Sequence, residues 1–474
     1  MRLNGLFRWE NPLGRRHYLA LGVLLVLVKV NLDSAIAGLV FHKPWALVTS
    51  FATLSSGNRV FSDFPFYGTM LLVALPFIWA GVTLTLRRLR SAGLPPGLVV
   101  LFFVPAVNYL FFLVLVALPE KNALAGEAGA SVIPARWLPR SAPGSLFAGL
   151  LGTVIITALF GLPEVVRWLM AGDFRDILQI FRYYTLGLFM GLPFACGLMT
   201  VLFDTVHAHR SVLRCLGMSA ACITLLFLLT LALAFEGLIC LLMAFPLSLG
   251  LGMAGGLLGY FIQKRPPAMR TTDTPLVVGL LILAMPLLMG AEVATLPEAP
   301  LLAVTTQIDI DAPREVVWRH VVAFSDLPEP TEWYFRTGIA YPIRARINGQ
   351  GVGAVRHCEF STGPFVEPIT VWDAPHLLRF SVSSQPMPMH ELSWREIRPP
   401  HLDGYLKSEQ GQFLLTPLPN DGTRLAGTTW YRHKMWPVGY WRLWSDGIIH
   451  RIHQRVLAHI KTLAEGDTLD NDST

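Results

Sequence analysis

Eight apolar stretches, each of roughly 20 residues, occupy most of the first 294 residues and restrict the fold more than any other feature. A helix of about 20 apolar residues crosses the hydrocarbon core of a bilayer, where backbone groups without hydrogen bonds are too costly. Charged residues make up only 15% of the chain, against about 25% in an ordinary soluble domain. The pattern therefore predicts membrane-spanning helices near residues 17–41, 64–86, 97–118, 145–163, 183–203, 213–235, 237–262 and 275–294.

The positions of lysine and arginine support two different topologies. The N-terminal segment and the loop at 87–90 are both rich in arginine, which places them in the cytoplasm. Loops 204–214 and 263–274 hold five basic residues, and this local bias places everything after residue 294 outside the cytoplasm. Eight spans that start inside instead return the C-terminus to the cytoplasm. The charges alone leave both topologies open.

The remaining features of the membrane part predict structural roles. The net charge of +6 comes largely from these loops, so we predict no nucleic-acid partner. Arginines before the first span, with no small-residue cleavage site after it, predict that this span stays in the mature protein. Four charged residues lie towards the ends of spans, where they predict interfacial side chains: Lys29, Asp33, Glu236 and Glu292.

Three further segments of this part have a distinctive composition. The sequence GLGMAGGLLG at 250–259 brings small residues together and predicts close helix packing. Residues 119–144 are rich in Gly, Pro, Ala and Ser, which predicts a linker between two membrane modules. Charges mixed with apolar residues at 164–182 predict an amphipathic helix at the membrane surface.

The first 120 residues resemble a small bacterial inner-membrane family of unknown function typified by the YhaH proteins. The resemblance depends on NPLGRRHYLALGVL at 11–24 and LRRLRSAG at 86–93. The chain has Arg90 and Ser91 where that family usually has a His-Asp pair, and Leu94 where it often has a Trp. The resemblance implies a location in the bacterial inner membrane and implies no activity.

After residue 304 the chain has the composition and the pattern of a globular domain. The segment VTTQIDIDAPREVVWRHVVAF at 304–324 predicts a strand followed by a helix that begins after Pro313. It resembles the START-like, polyketide-cyclase-like (SRPBCC) superfamily of helix-grip domains. That fold implies several antiparallel strands wrapped around a long C-terminal helix, with an apolar cavity between them.

The rest of the domain has the elements that this resemblance implies. Strands are predicted at 339–347, 352–360, 365–372, 377–382, 411–416 and 423–432, and apolar residues at helical spacing predict a closing helix at about 437–464. The chain is thus predicted to be a multi-pass α-helical membrane protein with about eight transmembrane helices, followed by a soluble α+β helix-grip domain. The predicted parts are 1–118, the linker 119–144, 145–294, 304–464 and a disordered tail at 465–474.

Strand parity identifies the candidate ligand-binding residues. If residue 361 pairs with 366, Arg356, Cys358 and Glu367 share the more apolar face of the sheet. A buried charge needs a partner, so Arg356 and Glu367 either orient the head group of a ligand or form an internal ion pair. Aromatic residues near the mouth of the predicted cavity add three candidates for ligand or membrane contact: Tyr341, Trp430 and Trp436.

Signals for chemistry are weak elsewhere in the sequence. His450 and His453 stand three apart beside arginines, which indicates a solvated helix face rather than a metal site. His390 and Glu391 are neighbours and form a candidate acid–base pair with little support. We predict no metal, no cofactor and no assigned catalytic residue, and the sequence indicates no oligomeric state.

Three functions remain open at this stage. The first is binding of a lipid or another hydrophobic molecule by a domain anchored in the bilayer of the inner membrane. The second is a cyclase or dehydrase that uses Arg356, Glu367 or Tyr341 to polarise a carbonyl. The third is a membrane sensor or partner-binding protein whose domain has no ligand.

Overall fold

The computed structural model describes residues 12–42, 64–121, 138–171, 183–265, 267–295, 298–402 and 404–472. The chain forms two compact units. The first, the membrane unit, comprises Met1–Leu233 and Leu241–Pro297. The second, the C-terminal unit, comprises Ala234–Cys240 and Glu298–Thr474.

The membrane unit is entirely helical in its described ranges. Seven of its helices are long and apolar enough to cross a bilayer, whereas the sequence predicted eight spans. The helices are α1 (Arg15–Val40), α2 (Phe64–Ala92), α3 (Val107–Ala117), α4 (Ala142–Ala171), α5 (Leu192–Thr205), α6 (Val212–Ala232), α7 (Leu238–Ile262) and α8 (Pro267–Thr295), with a π-helical turn at Gly187–Gly191 before α5. The structure describes neither residues 122–137 of the predicted linker nor residues 172–182 of the predicted amphipathic helix.

The third apolar stretch, predicted as a span at 97–118, is a helical hairpin in the structure. It divides into a 3-10 helix (Pro96–Phe103) and α3, and Ala106 between them has a positive φ of 62°. Its two ends lie together, because the backbone N–H of Lys121 donates to the carbonyl of Ser91 over 2.8 Å. Pro105 lies at the break and helps to explain it, since proline lacks the N–H that a continuous helix needs.

The hairpin is held by a buried arginine of α2. The guanidinium of Arg88 donates to the carbonyls of Leu115 (2.9 Å) and Leu118 at the end of α3, and to Ser91 Oγ over 3.1 Å. The last carbonyls of a helix have no partner inside it, so a cation there supplies the missing donors and opposes the negative end of the helix dipole. Arg88 is 0% exposed. It therefore acts as a fixed cap for the hairpin.

The glycine-rich segment of α7 packs against α5 and α6, as predicted. A Cβ atom added to Gly255 would lie 2.1 Å from the carbonyl oxygen of Phe194, and one added to Gly256 would lie 2.0 Å from Ser219 Oγ. The first distance leaves room only for glycine, because the Phe194 oxygen belongs to the backbone and real Cβ atoms do not approach it so closely. Close approach of backbones is how membrane helices gain packing energy without a hydrophobic driving force.

The C-terminal unit contains a seven-stranded antiparallel sheet and a long closing helix. The strands lie in the order β1-β7-β6-β5-β4-β3-β2, and consecutive strands pair along the chain except that β1 pairs with β7. The elements are β1 (Leu302–Ile310), α9 (Arg314–Val322), β2 (Pro342–Asn348), β3 (Val355–Phe360), β4 (Gly363–Asp373), β5 (Leu377–Ser381), β6 (Leu406–Pro417), β7 (Thr423–His433) and α10 (Val438–Asp472).

Helix α10 bridges the two edges of this sheet. It packs closely on β1 and β7 at one edge and on β2 at the other, while the middle strands lie farther from it. The sheet is therefore curled, and its concave face surrounds an interior between the strands and the helix. This arrangement confirms the predicted helix-grip domain.

Two boundaries of the domain differ from the prediction. The first strand begins at Leu302 rather than 304, and α10 continues to Asp472 through most of the predicted disordered tail. Contacts made across the domain explain the longer helix. Glu465 accepts a hydrogen bond from the backbone N–H of Asp311, and Asp467 Oδ2 lies 2.9 Å from His320 Nε2.

The side chains of the β3–β4 hairpin lie on the predicted faces of the sheet, but the two strands pair in a different register. Phe360 pairs with Gly363, so the turn is tighter than the predicted pairing of 361 with 366, and Arg356 stands directly opposite Glu367. The two registers differ by an even number of residues, which leaves every side chain on the same face. A bulge between Ile369 and Val371 then turns Val371 towards the convex side, where it pairs with Arg379.

Candidate functional site

The candidate site is an ion pair on the concave face of the sheet. Arg356 and Glu367 lie opposite each other on β3 and β4, and a guanidinium nitrogen donates to Glu367 Oε2. Arg356 is 2% exposed and Glu367 is 6% exposed, so both charges are removed from water. Placing two charges in an interior is costly, and the pair is stable there only because each neutralises the other.

Three aromatic rings surround the guanidinium. The Cζ atom of Arg356 lies 5.5 Å from the ring centroids of Phe324 and Phe380, and 5.6 Å from that of Phe413. The negative face of an aromatic ring attracts a cation at this distance, most strongly where water is excluded. The rings come from β5, β6 and the loop after α9. These rings therefore enclose the arginine, and we call them, together with Arg356, Cys358 and Glu367, the Arg356 chamber.

Burial also determines the protonation of the groups around Arg356. It raises the pKa of the Glu367 carboxyl above its ordinary value, and the neighbouring guanidinium opposes that shift. It raises the pKa of the Cys358 thiol to about 12, so this thiol stays protonated at neutral pH. A protonated thiol is a poor nucleophile. The chamber thus offers a fixed cation and weakly polar groups.

One donor of the arginine has no protein partner. Arg356 Nε is buried and makes no hydrogen bond with any described group. An unsatisfied buried donor costs about 1–3 kcal/mol, and native proteins rarely retain one without a reason such as a bound water or ligand. The nitrogen is thus the point in the chamber where an acceptor from another molecule would be most favourable.

The structure brings together only three of the six predicted site residues, namely Arg356, Cys358 and Glu367. Tyr341 lies near Arg455 and Phe335, and the ring centroids of Tyr341 and Phe335 are 5.8 Å apart. Trp430 is on the convex face, where its ring lies 6.0 Å from Arg379 Cζ. Trp436 precedes α10 and is 4% exposed.

The histidines of α10 do not lie on a solvated face, and that interpretation of the sequence was wrong. Thr306 Oγ1 lies 2.7 Å from His450 Nδ1 and 3.1 Å from His453 Nδ1, while Thr429 Oγ1 lies 2.7 Å from His453 Nε2. Burial lowers the pKa of His453 to about 4. The imidazole is therefore neutral and satisfies polar groups between the helix and the sheet.

A second polar cluster of the C-terminal unit was missed by the sequence analysis. His401 Nε2 lies 3.3 Å from Glu391 Oε1, and His401 Nδ1 lies 3.3 Å from Glu236 Oε2. Glu391 thus pairs with His401 rather than with His390, which had been its candidate partner. No local pattern could have identified the cluster, because Glu236 is separated from the other two residues by more than 150 positions in the sequence.

Comparisons with known proteins give likenesses of fold at low identity. A norcoclaurine synthase point mutant from Thalictrum flavum is 13% identical, with a TM-score of 0.26, and the match covers 36% of this chain and 99% of that one. The ZhuI aromatase/cyclase from Streptomyces sp. R1128 is 12% identical, with a TM-score of 0.24 and coverage of 35% and 94%. The di-domain ARO/CYC BexL is 17% identical, with a TM-score of 0.24 and coverage of 39% and 56%.

No protein-family model matches the chain, and no curated protein matches it. The resemblance of the first 120 residues to the YhaH-like family therefore has no support from these comparisons. The helix-grip assignment of the C-terminal domain depends on its own strand order and register.

Proposed function

We propose that the protein is a membrane-anchored binding protein for a hydrophobic small molecule, which the helix-grip domain holds between its sheet and α10. The observation that carries this proposal is the buried Arg356 Nε, which lacks a protein partner inside the Arg356 chamber. The ligand class that fits is an apolar molecule with a carbonyl or carboxylate at one end. Its oxygen would accept from Arg356, and its body would contact the phenylalanine rings.

Catalysis has less support than binding at this site. A cyclase or dehydrase needs a group that accepts or delivers a proton close to the substrate. Glu367 is engaged by Arg356, and the Cys358 thiol stays protonated because burial raises its pKa to about 12. Tyr341, the third candidate for polarising a carbonyl, lies beside Arg455 and Phe335 rather than in the chamber.

Mass spectrometry of the purified full-length protein tests the proposal. The protein is released from membranes in detergent and washed extensively with fresh detergent. Its bound compounds are then extracted, and the apolar compounds that remain are identified. We expect a compound that wild-type protein retains and that Arg356→Met and Glu367→Gln lose. Retention of the same compounds by both variants would contradict the proposal.

The same two strands offer a matched control. Arg344 and Glu359 form an ion pair between β2 and β3 with a shortest distance of 2.5 Å, and both side chains are about one-third exposed. Arg344→Met and Glu359→Gln therefore change the same residue types outside the chamber. We expect both control variants to retain the compound as wild-type protein does.

We also propose that the N-terminus is cytoplasmic and that the helix-grip domain lies on the opposite side of a bacterial inner membrane. Seven crossings and one helical hairpin support this topology, because an odd number of crossings separates the two ends of the chain. The topology also assigns the basic segments at 87–90, 210–214 and 264–270 to the cytoplasmic side, as the positive-inside rule prefers. The conflict between the two charge patterns disappears when 97–118 is not counted as a span.

Fusions to alkaline phosphatase, which is active only outside the cytoplasm of a bacterium, test this topology. Fusion after residue 300 is expected to give an active enzyme, and fusion after residue 121 or 209 an inactive one. An active fusion at 121 would show that residues 97–118 cross the membrane.

A further inference from the structure

Four side chains of the C-terminal unit converge in a cluster that the chamber does not include. They are Glu236, Cys240, Glu391 and His401, and one potential metal-ligating atom from each lies within 4.8 Å of the others. The Cys240 thiol donates to Glu391 Oε1 over 2.6 Å and lies 2.9 Å from His401 Nε2. His401 Nε2 lies 3.3 Å from Glu391 Oε1, which closes a triangle of sulfur, nitrogen and oxygen.

Backbone contacts hold this triangle in place. The N–H of Leu238 donates to the carbonyl of Leu392 over 2.9 Å, which fixes Cys240 in the first turn of its helix beside Glu391. His401 is the central residue of a 3-10 turn at Pro400–Leu402. His401 and Glu391 have side chains that are 6% and 0% exposed, so the triangle is closed to bulk water.

The donor set is that of a zinc site. Zinc binds thiolate sulfur, imidazole nitrogen and carboxylate oxygen, whereas calcium and magnesium prefer sites made only of oxygen. Glu236 has a different role, because its Oε2 lies 3.3 Å from His401 Nδ1, the ring nitrogen that is not in the triangle. A carboxylate in that position accepts from the imidazole and fixes which nitrogen faces the metal.

Two further observations point to a ligand at this position. Glu391 Oε2 is buried without a hydrogen-bond partner among the described groups, although the side chain is 0% exposed. A cavity of about 40 Å³ also lies against Glu391, and Met389 and Leu402 contribute to its wall. A space of this size holds water, since one water needs about 10–15 Å³. Of the four clustered residues, Glu391 lines this cavity.

We propose that Cys240, Glu391 and His401 bind a zinc ion, and that Glu236 orients the imidazole of His401 from the second coordination sphere. The competing arrangement is a buried hydrogen-bonded cluster that holds no metal. The two differ in the state of Cys240, which is a thiolate bound to the ion in the first and a thiol in the second.

Metal analysis of the full-length protein in detergent tests the site. The protein is loaded with zinc under reducing conditions, freed of excess metal and measured by plasma mass spectrometry, with circular dichroism as a check on folding. We expect about one zinc per chain in wild-type protein and in Cys215→Ser, which removes a buried cysteine of the membrane unit. We expect loss of zinc in Cys240→Ser and His401→Gln, and weaker retention in Glu236→Gln.

Cobalt substitution keeps the proposal testable if the ligand variants fail to fold. Replacing Cys196, Cys215, Cys222 and Cys358 with serine leaves Cys240 as the only thiol of the chain. Cobalt bound to that thiolate gives a charge-transfer absorption in the near ultraviolet, which the hydrogen-bonded cluster does not. Folded wild-type protein without zinc and without this absorption overturns the proposal, as does unchanged zinc in folded Cys240→Ser and His401→Gln.

Discussion

Removing one member of the buried pair should cost far more than removing both, and the cost should depend on which member is left. Glu367→Gln leaves the Arg356 guanidinium, which keeps its charge at any accessible pH. With 2% of the arginine exposed, the uncompensated charge should lower the free energy of unfolding by about 3–5 kcal/mol. Residue 367 of this variant adds no pH dependence of its own, because glutamine does not titrate.

Arg356→Met should behave differently, because the remaining carboxyl can become neutral. Burial already raises the pKa of Glu367, and without the guanidinium the main opposing influence is gone and only the weaker one of His357 is left. The folded protein then keeps the proton while the unfolded chain releases it above pH about 4.3. The folded state binds more protons, so the free energy of unfolding should fall with rising pH, by up to about 1.4 kcal/mol per pH unit.

Pulse proteolysis of the full-length protein across a urea series measures these free energies. The double variant Arg356→Met/Glu367→Leu removes both charges and should recover to within about 1 kcal/mol of wild type. Arg344→Met, in the exposed pair, should change stability by only about 0–1 kcal/mol. A cost below about 1 kcal/mol for Arg356→Met, with no dependence on pH, would refute the buried-pair reasoning.

Three further changes test other parts of the structure. Gly255→Ala places a Cβ 2.1 Å from the Phe194 carbonyl and should cost about 1–3 kcal/mol in thermal unfolding, whereas Gly250→Ala, with nothing within 4 Å, should not. Arg88→Met removes the cap of the helical hairpin and should speed hydrogen exchange at 107–117, and unchanged exchange would contradict that role. Burial lowers the pKa of His453 to about 4, below the value near 6.5 in the unfolded chain, so stability should be lost as pH falls from 6.5 to 4. Urea unfolding of His453→Gln should show a smaller loss.

Residue pattern predicted the fold of the C-terminal domain well because its signals are local. The alternation along β3 and β4 placed Arg356 and Glu367 on one face, and that placement tolerated the wrong register because the error was an even number of residues. The tight turn after Phe360 was missed because Ser361 and Thr362 form a shorter connection than the sequence suggested. The helical spacing of apolar residues also predicted the apolar face of α10, but it did not predict where the helix ends.

The break in the third apolar stretch and the second cluster were not predicted, for a different reason. Hydropathy averaged along the chain identifies the apolar stretch at 97–118. It does not detect the backbone break at Ala106, which has a positive φ. The cluster of Cys240, Glu391 and His401 depends on how distant segments meet. Neither the backbone break nor the cluster can be predicted from the spacing of neighbouring residues.

Helix α10 closes the helix-grip domain, and it is synthesised after every strand of the sheet that it covers. Until α10 has left the ribosome, the strands that carry Arg356 and Glu367 present their concave face to water. Premature termination before Val438 would leave that apolar surface permanently open, so shortened chains should associate with one another or be degraded. The concave face therefore becomes covered only when α10 has been made and has packed across the sheet.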